Sequence, residues 1–147
     1  MPKYLLDTNC YIEATRHSAA AAALEAFASR HSPHLYLSSV VRAELLAGIA
    51  TARDEQRLQA DILTPFEQRR RVVTPGPGTW DTLGRTLGHL VRTEGLVLRQ
   101  MPRSFMLDVL LAASAREIGA TYVTHNQRDA ERIARVFPFS WATPYPQ

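Results

Sequence analysis

The stretch Tyr4-Leu5-Leu6-Asp7-Thr8-Asn9 decides the fold that this sequence predicts. A short apolar run ends abruptly in a carboxylate, a hydroxyl and an amide, which is the pattern of a buried strand that delivers polar groups to a site. Few residues precede the run, so we expect neither a signal peptide nor a membrane anchor. Asp7 is therefore expected at the carboxyl end of a central strand, and the question is which other side chains meet it there.

The composition predicts one compact domain over residues 1–147, because a hydrophobic share of 46% is ample for a single core. No apolar run approaches the roughly 18 residues needed to span a bilayer, so we expect no membrane contact. Cys10 is the single cysteine, and alone it forms neither an intramolecular disulfide nor a thiolate zinc site. This favours a reducing compartment, and the expected location is the cytoplasm.

The positive charge is carried almost entirely by arginine, with Lys3 as the one lysine and a net charge of +3. Guanidinium groups suit bidentate contacts to phosphate, so the composition is compatible with a nucleic-acid partner. A solvated surface explains most arginines equally well. The Arg69–Arg71 run, for example, is a candidate phosphate patch, but it also suits the C-terminal end of a helix.

Short strand-like runs alternate with helical segments along the whole chain. Strands are predicted at Tyr4–Leu6, Leu35–Ser38, Val72–Thr74 and Ala120–Thr124. The proline-rich tail can add an edge strand near Phe139–Trp141, but we expect its aromatic residues to pack onto the body of the domain or onto a partner. Helices are predicted over about 10–30, 39–49, 51–71, 79–93 and 105–118, with a short last helix that carries Ile133. This alternation predicts an α/β domain with a central, mainly parallel sheet of four to five short strands. The ligand site of such a sheet lies outside the carboxyl ends of its strands.

Several polar residues follow a strand or open a helix next to one: Asp7, Glu44, Asp108 and Asp129, with the amide of Asn126 nearby. Carboxylates about 4 Å apart would repel by roughly 4 kcal/mol per pair at an effective dielectric near 20. A convergent cluster therefore calls for a cation or shared protons. All these ligands are oxygen donors, which favours Mg²⁺ or Mn²⁺ with substrate phosphate completing the shell. A phosphodiester bound there is hydrolysed by metal-activated water without a protein nucleophile.

Each acidic residue also has a structural explanation. Asp7 can cap the helix that follows it, Asp108 can sit at a helix N-terminus for dipole reasons, and Glu44 can be a surface residue. Spacing alone does not prove that the three converge.

Taken together, three segments resemble the PIN-domain ribonucleases, and in particular the VapC-type toxins of bacterial and archaeal toxin–antitoxin pairs. The segments are Leu5–Asn9, Ser39–Gly48 with Glu44-Leu45, and Asp108–Ala113 leading into Gly119–Asn126. The resemblance covers nearly the whole chain in order, and it implies a single PIN-like domain with a three-layer α/β/α arrangement. It further implies a Mg²⁺-dependent endoribonuclease that is homodimeric and inhibited by a small antitoxin whose tail occupies the acidic groove.

The resemblance also implies roles for individual residues. Asp7, Glu44 and Asp108 match the acidic residues of the metal site. At the fourth acidic position this chain has Asn126, with Asp129 three residues on. We interpret Asn126 as a polar supporter and Asp129 as a candidate ligand for a second metal ion, which leaves one-metal and two-metal chemistry open.

Other polar residues near these positions are weaker candidates. Thr8, Asn9 and Thr124 are expected to orient water or carboxylates behind the metal ligands, although turn and capping roles explain them equally well. His125 is expected to be a surface turn residue rather than a proton donor. Cys10 is expected to be a small buried residue, because nothing in the pattern pairs it with a base.

The sequence therefore predicts a metal-dependent endoribonuclease of the toxin type, with Mg²⁺ as cofactor and Mn²⁺ as a substitute. The candidate RNA-contacting residues are Arg99, Arg103 and Arg128. One alternative is a nuclease that acts in RNA maturation or on DNA and has no antitoxin. The other is a catalytically idle RNA-binding domain that retains the fold.

Overall fold

A five-stranded, all-parallel sheet forms the centre of the computed structural model, which describes residues 2–147. The strands are β1 Lys3–Leu6, β2 Leu35–Ser38, β3 Val72–Val73, β4 Ala120–Val123 and β5 Trp141–Ala142. Their order in the sheet is β3-β2-β1-β4-β5, and every neighbouring pair is parallel. The prediction of a central, mainly parallel sheet of four to five short strands is confirmed.

Helices connect all of these strands. They are α1 Thr8–Arg16, α2 Ser18–His31, α3 Ser39–Ala47, α4 Ala52–Leu58, α5 Thr64–Gln68, α6 Pro77–Glu94, α7 Arg103–Ile118 and α8 Gln127–Ala134. The helix predicted over 51–71 is divided, because a π-helical segment at Gln59–Leu63 separates α4 from α5. Pro65 lies in the first turn of α5, where its missing N–H costs little. Within the described residues, no helix is long and apolar enough to cross a membrane.

The connections place the helices in two layers. From β1 the chain moves through β2 to β3 by way of α1 to α5, and it then returns through α6 and α7 to β4 and through α8 to β5. Because parallel crossovers are right-handed, these two directions put α1–α5 on one face of the sheet and α6–α8 on the other. The strand order reverses between β1 and β4, so the ligand crevice is expected at the carboxyl ends of these two strands.

Burial is deepest along β1 and α7, which flank this crevice. Leu5 and Leu6 of β1 are fully buried, as expected for a central strand covered on both faces. The α7 helix is buried at Phe105 and continuously over residues 108–115, so it is a core helix rather than an amphipathic surface helix. Asp108 is therefore a carboxylate within an apolar helix.

Two helices begin about two residues earlier than the sequence predicts. The α6 helix begins at Pro77 rather than after Thr79, and the Thr79 hydroxyl instead donates to the Glu117 carboxylate at the end of α7. The residue that precedes α7 is Pro102, so Ser104 lies inside the helix. In both cases proline, which has a preset backbone angle and no N–H to satisfy, determines where the helix starts.

Candidate active site

Asp7 and Thr124 meet where the strand order reverses. Asp7 directly follows β1 and its backbone N–H donates to the carbonyl of Val123, while the Thr124 hydroxyl donates to Asp7 Oδ2 at 2.9 Å. Asp7 is the N-cap residue of α1, and although its side chain makes no capping hydrogen bond, the backbone N–H groups of Thr8 and Asn9 help to lower its pKa. Burial raises the pKa of Asp7, and the hydrogen bond from Thr124 acts in the opposite direction.

Glu44 reaches the same edge of the sheet from α3. The Thr8 hydroxyl at the start of α1 donates to Glu44 Oε1 at 2.8 Å, and Glu44 is half-buried. Burial raises the pKa of Glu44, and so does the negative charge of Asp7, whereas the Thr8 hydrogen bond and the positive charge of Arg103 lower it. Glu44 is therefore not a free surface residue, and its carboxyl group interacts electrostatically with Asp7.

Asp108 completes the group from the second turn of α7. Its carboxylate accepts a hydrogen bond from the Tyr122 hydroxyl at 3.1 Å and another from Asn126 Nδ2 at 3.3 Å. Only 9% of Asp108 is exposed. A carboxylate that is buried in this way needs both its hydrogen bonds and a compensating positive charge if it is to stay ionised.

The pKa of Asp108 shows how closely the acidic groups interact. It is raised to about 7, first by burial and then by the negative charge of Asp7, with smaller contributions from Asp129 and Glu44, while the hydrogen bond from Tyr122 lowers it. None of these four carboxylates forms a salt bridge with any residue in the described part of the chain. The structure therefore brings together buried Asp7 and Asp108 with half-buried Glu44 and Asp129, and no basic side chain of the described residues pairs with them.

Asn126 links two of the acids through its amide. Its Nδ2 group donates to Asp129 Oδ2 at 2.7 Å as well as to Asp108, and its Oδ1 atom caps α8 by accepting from the Asp129 N–H. The backbone N–H of Asn126 in turn donates to the Thr124 hydroxyl at 3.0 Å. Asn126 therefore presents hydrogen-bond donors to the acids, whereas Asp129 presents carboxylate oxygens.

The remaining predicted residues lie further from the cluster. Asn9, Arg99 and Arg128 are exposed, and their side chains form no hydrogen bond or ion pair with the other described residues. Arg103 is also exposed, but it is close enough for its charge to lower the pKa of Glu44. Of the candidate RNA-contacting arginines, Arg103 thus has an electrostatic connection to the acids.

Cys10 lies beneath the site without taking part in it. The residue is 1% exposed, and its thiol makes a weak contact of 3.7 Å to the Val123 carbonyl. Burial and the charge of Asp7 raise the pKa of Cys10 to about 12, so the thiol stays protonated at neutral pH. The expectation of a small buried residue is confirmed.

Tyr122 is a site residue that the sequence reasoning missed. It lies in β4, it is fully buried, and its hydroxyl is one of two donors to Asp108. Burial and the nearby charges of Asp7 and Asp108 raise the pKa of Tyr122, so it remains a protonated donor. The available signal was a tyrosine inside a short apolar strand, since a buried phenol needs a hydrogen-bond partner.

An apolar groove opens beside Glu44. It is a cavity of about 670 Å³ between α1, α3 and α4, and its apolar lining comprises Tyr11, Ile12, Leu45, Ile49, Leu58 and Ile62. The charged residues of its lining are Arg16, Glu44, Asp54, Arg57 and Asp61. The Tyr11 hydroxyl is buried and has no hydrogen-bond partner among residues 2–147. We call this cavity the apolar groove.

The fit of a metal ion to the acidic cluster depends on its donor set. No group of three or more His, Cys, Asp or Glu side chains within residues 2–147 is arranged to hold a metal ion, since the carboxylates are held by hydroxyl and amide donors. The chemistry nevertheless fits a hard divalent cation. All the donors are oxygens, no basic side chain neutralises them, and their charges raise one another's pKa values.

Comparisons with known proteins agree with this fold. The PIN domain family matches residues 4–136, and no curated protein matches the chain. A DNA-bound VapBC complex from Salmonella typhimurium contains a chain with a TM-score of 0.71 and 22% identity, covering 99% of this chain and 100% of that one.

Two further solved structures are similar. The values for FitAcB from Neisseria gonorrhoeae are a TM-score of 0.68, 21% identity and coverage of 98% and 99%. DNA-bound VapBC2 from Rickettsia felis contains a chain with a TM-score of 0.64 and 23% identity, covering 95% of this chain and 97% of that one. Identities this low show a shared fold, and the family match covers most of the chain. The protein therefore belongs to the PIN-domain family.

Proposed function

We propose that this protein is a Mg²⁺-dependent endoribonuclease and the toxin of a toxin–antitoxin pair. PIN domains are generally nucleases, and the observation that carries the proposal is the convergence of buried Asp7 and Asp108 with half-buried Glu44 at the switch point of the sheet, where none of them forms a salt bridge with another described residue. The similar chains come from VapBC and FitAB complexes, which supports the toxin role. Low identity to those chains makes that role a proposal rather than a property of the fold.

Asp7, Glu44 and Asp108 would hold the metal ion, with Asp129 as the candidate ligand of a second one. A bound Mg²⁺, or Mn²⁺ in its place, lowers the pKa of a coordinated water and stabilises the charge that develops on the phosphate. The chain's own residues orient the acids: Thr124 holds Asp7 and Thr8 holds Glu44. Exclusion of water strengthens every one of these electrostatic interactions.

Substrate RNA would approach through positive charge at the rim of the cluster. Arg103 is the best supported contact because its charge already acts on Glu44, while Arg99 and Arg128 are exposed and free to turn toward a phosphate. Such contacts supply affinity and position the strand without reading its sequence. Asn9 would act at the same edge, as a polar side chain that can turn toward bound water or RNA.

The proposed antitoxin would occupy the apolar groove. An amphipathic segment could bury its apolar side chains against the residues that line this cavity, and a basic side chain next to them would reach Glu44 and the acidic cluster. The proposal also includes a homodimer in the cytoplasm, which size-exclusion chromatography with light scattering and cell fractionation would test. A short adjacent reading frame whose product blocks RNA cleavage would support the toxin role.

RNA cleavage by the purified protein tests the nuclease function. We expect cleavage with Mg²⁺ and none in excess chelator. The cleavage rate should fall at least about 100-fold in Asp7→Asn, Glu44→Gln and Asp108→Asn, because each change removes a negatively charged ligand of the ion. Glu25→Gln is the matched control, because Glu25 is exposed on α2 and makes no contact with the site. Full activity in chelator would exclude the metal mechanism.

The same assay separates the alternatives. A nuclease without an antitoxin, acting in RNA maturation or on DNA, would tolerate high expression and would cleave a defined precursor or DNA. RNA binding that is unaffected by Mg²⁺ and yields no products would favour the idle RNA-binding domain.

A further inference from the structure

A second cavity, of about 390 Å³, lies on the face of the sheet that carries α6–α8. Its lining comprises Thr82, Arg85, Thr86, His89, Arg92, Arg116, Val136 and Phe137. Three arginines face this cavity, and no acidic residue lines it. We call it the basic groove. Its formal charge is positive even with the histidine neutral, in contrast to the acidic cluster at the sheet edge.

Arg116 is oriented by contacts that do not neutralise its charge, and Arg92 lies over a glycine of its own helix. The Arg116 guanidinium donates to the Thr82 hydroxyl at 3.3 Å and lies 4.7 Å from the centre of the Phe137 ring. Arg92 folds back over Gly88, where the Cβ of an alanine would lie 3.1 Å from its Nη1 atom. Guanidinium groups that are already positioned lose less conformational freedom when they bind an anion.

Two acids that neighbour groove residues in the sequence are engaged by other partners. Glu117, next to Arg116, accepts hydrogen bonds from the Thr79 hydroxyl and the Gly76 backbone. Glu94 forms an ion pair with Arg132 at 3.2 Å. In the part of the chain that the structure describes, none of the three groove arginines has a salt-bridge partner. The groove is thus prepared for an anion supplied from outside.

The basic groove and the acidic cluster lie at the two ends of the same helices. Asp108 is in the second turn of α7 and Arg116 is near its end, so about eight residues, or about 12 Å of helix, separate them. The α8 helix likewise begins directly after its N-cap residue Asn126, beside the cluster, and ends two residues before Val136, which lines the groove. A stacked strand advances about 3.4 Å per nucleotide, so a few nucleotides cover this distance.

We propose that the basic groove is an exosite that binds the phosphate backbone of the RNA substrate a few nucleotides away from the bond cleaved at the acidic cluster. The identity of the substrate rests on the proposed function. Arginine forks match phosphate oxygens in a bidentate manner, and such contacts are independent of base sequence. The exosite increases the affinity for strands long enough to reach both places.

Binding of labelled oligouridines to chelator-treated protein, measured by fluorescence anisotropy, tests this exosite without any cleavage. We expect Arg85→Gln and Arg116→Gln to weaken binding of a 12-nucleotide strand several-fold. Each lost phosphate contact should also reduce the slope of log K against log salt by about 0.7. Arg30→Gln is the matched control, because Arg30 is exposed on α2 on the other face of the sheet.

Gly88→Ala distinguishes a lost exosite from a damaged fold. Alanine has a higher helix propensity than glycine, so the melting temperature should rise. The added Cβ displaces Arg92 from the groove. We therefore expect a more stable protein that binds the long strand more weakly. Unchanged binding of the long strand in this variant and in Arg85→Gln overturns the exosite.

Other ligands give different results. If inorganic phosphate saturates the groove while the long strand binds independently of its arginines, the site takes small anions and the proposal is wrong. Tighter binding of a 12-nucleotide DNA strand than of RNA, with the same dependence on Arg85, assigns the groove to DNA and also overturns it. Intact groove-dependent RNA binding without Mg²⁺-dependent cleavage would retain the exosite and refute only the nuclease function.

Discussion

Asp108 is the residue at which stability and function oppose each other. Its carboxylate lies in an otherwise apolar helix, beside Asp7 and Glu44, with a pKa raised to about 7. Without a cation, burial and the neighbouring negative charges favour the protonated form of the Asp108 carboxyl group in the folded protein. The position is therefore unfavourable for folding at neutral pH, which is common at catalytic and metal-binding sites.

Chelator-treated protein should become less stable as the pH rises from 5 to 8. The pKa of Asp108 is about 7 in the folded state and 3.8 in the reference state, so between these values the folded state binds more protons and its stability falls as the pH rises, levelling off above about 7. From pH 5 to 7 the loss is about 3 kcal/mol at most, at about 1.36 kcal/mol per pKa unit. Urea titrations over this pH range measure the effect.

The control for this measurement is Asp108→Asn, which removes the titrating group. It should flatten the pH dependence and make the metal-free protein more stable than wild type at pH 8. Asp7 and Glu44 also have raised pKa values, so part of the slope should remain. A wild-type stability that increases toward pH 8 would contradict this interpretation of the cluster.

Tyr122→Phe should weaken activity through the position and charge of Asp108. The change removes a hydrogen bond to the ionised carboxylate, which is worth about 1.5–3 kcal/mol, and raises the pKa of Asp108 further. We expect the rising limb of the pH–activity profile to move to higher pH with Mg²⁺ present. Tyr36→Phe, in the half-buried part of β2, is the control and should leave the profile unchanged.

At the scale of elements, the link from α7 to β4 sets the position of the site. Gly119 ends α7 with a backbone φ of 69°, in the left-handed region, and β4 begins at the next residue. The same strand carries Tyr122, which donates to Asp108, and leads to Thr124, which donates to Asp7. The angle of this turn therefore helps to position both donors. A glycine at this position was predictable from the sequence, because it follows the last apolar residue of the helix.

Gly119→Ala should destabilise the protein by about 1–2 kcal/mol, because an L-residue in the left-handed conformation is strained. Gly84→Ala is a matched substitution in the interior of α6, where an added Cβ meets no atom within 4 Å. It should stabilise the protein by up to about 1 kcal/mol through helix propensity. Thermal denaturation compares the two, and equal effects would show that backbone conformation is not the cause.

At the scale of the whole molecule, the two faces of the sheet have different surfaces. The α1–α5 face carries the apolar groove beside Glu44, and the α6–α8 face carries the basic groove. The basic groove lies near the ends of α7 and α8 that are remote from the acidic cluster. The proposed antitoxin and the proposed RNA exosite would therefore lie on opposite faces of the sheet.

Binding of Mg²⁺ at the proposed site should stabilise the whole fold, because the native carboxylates there repel one another. A ligand at 100 times its Kd adds about 2.7 kcal/mol to the free energy of unfolding, which corresponds to a rise of several degrees in Tm. Differential scanning fluorimetry should show this rise for wild type and a much smaller one for Asp7→Asn. Sodium chloride of equal ionic strength is the control, and a shift that it reproduces would mean that no site-specific ion is bound.

The sequence by itself determined the parallel sheet, the order of its helices and the residues at the carboxyl ends of its strands, because these depend on local periodicity, turn residues and chain order. It placed Asp7, Glu44 and Asp108 as candidates without showing that they interact. Only the tertiary structure brought them together and added Tyr122, whose hydrogen-bond partner Asp108 lies on a different element and was not identified from the sequence. Burial and the approach of charges from distant elements arise only when the layers pack. These two effects make Asp7, in the stretch from Tyr4 to Asn9, part of a site.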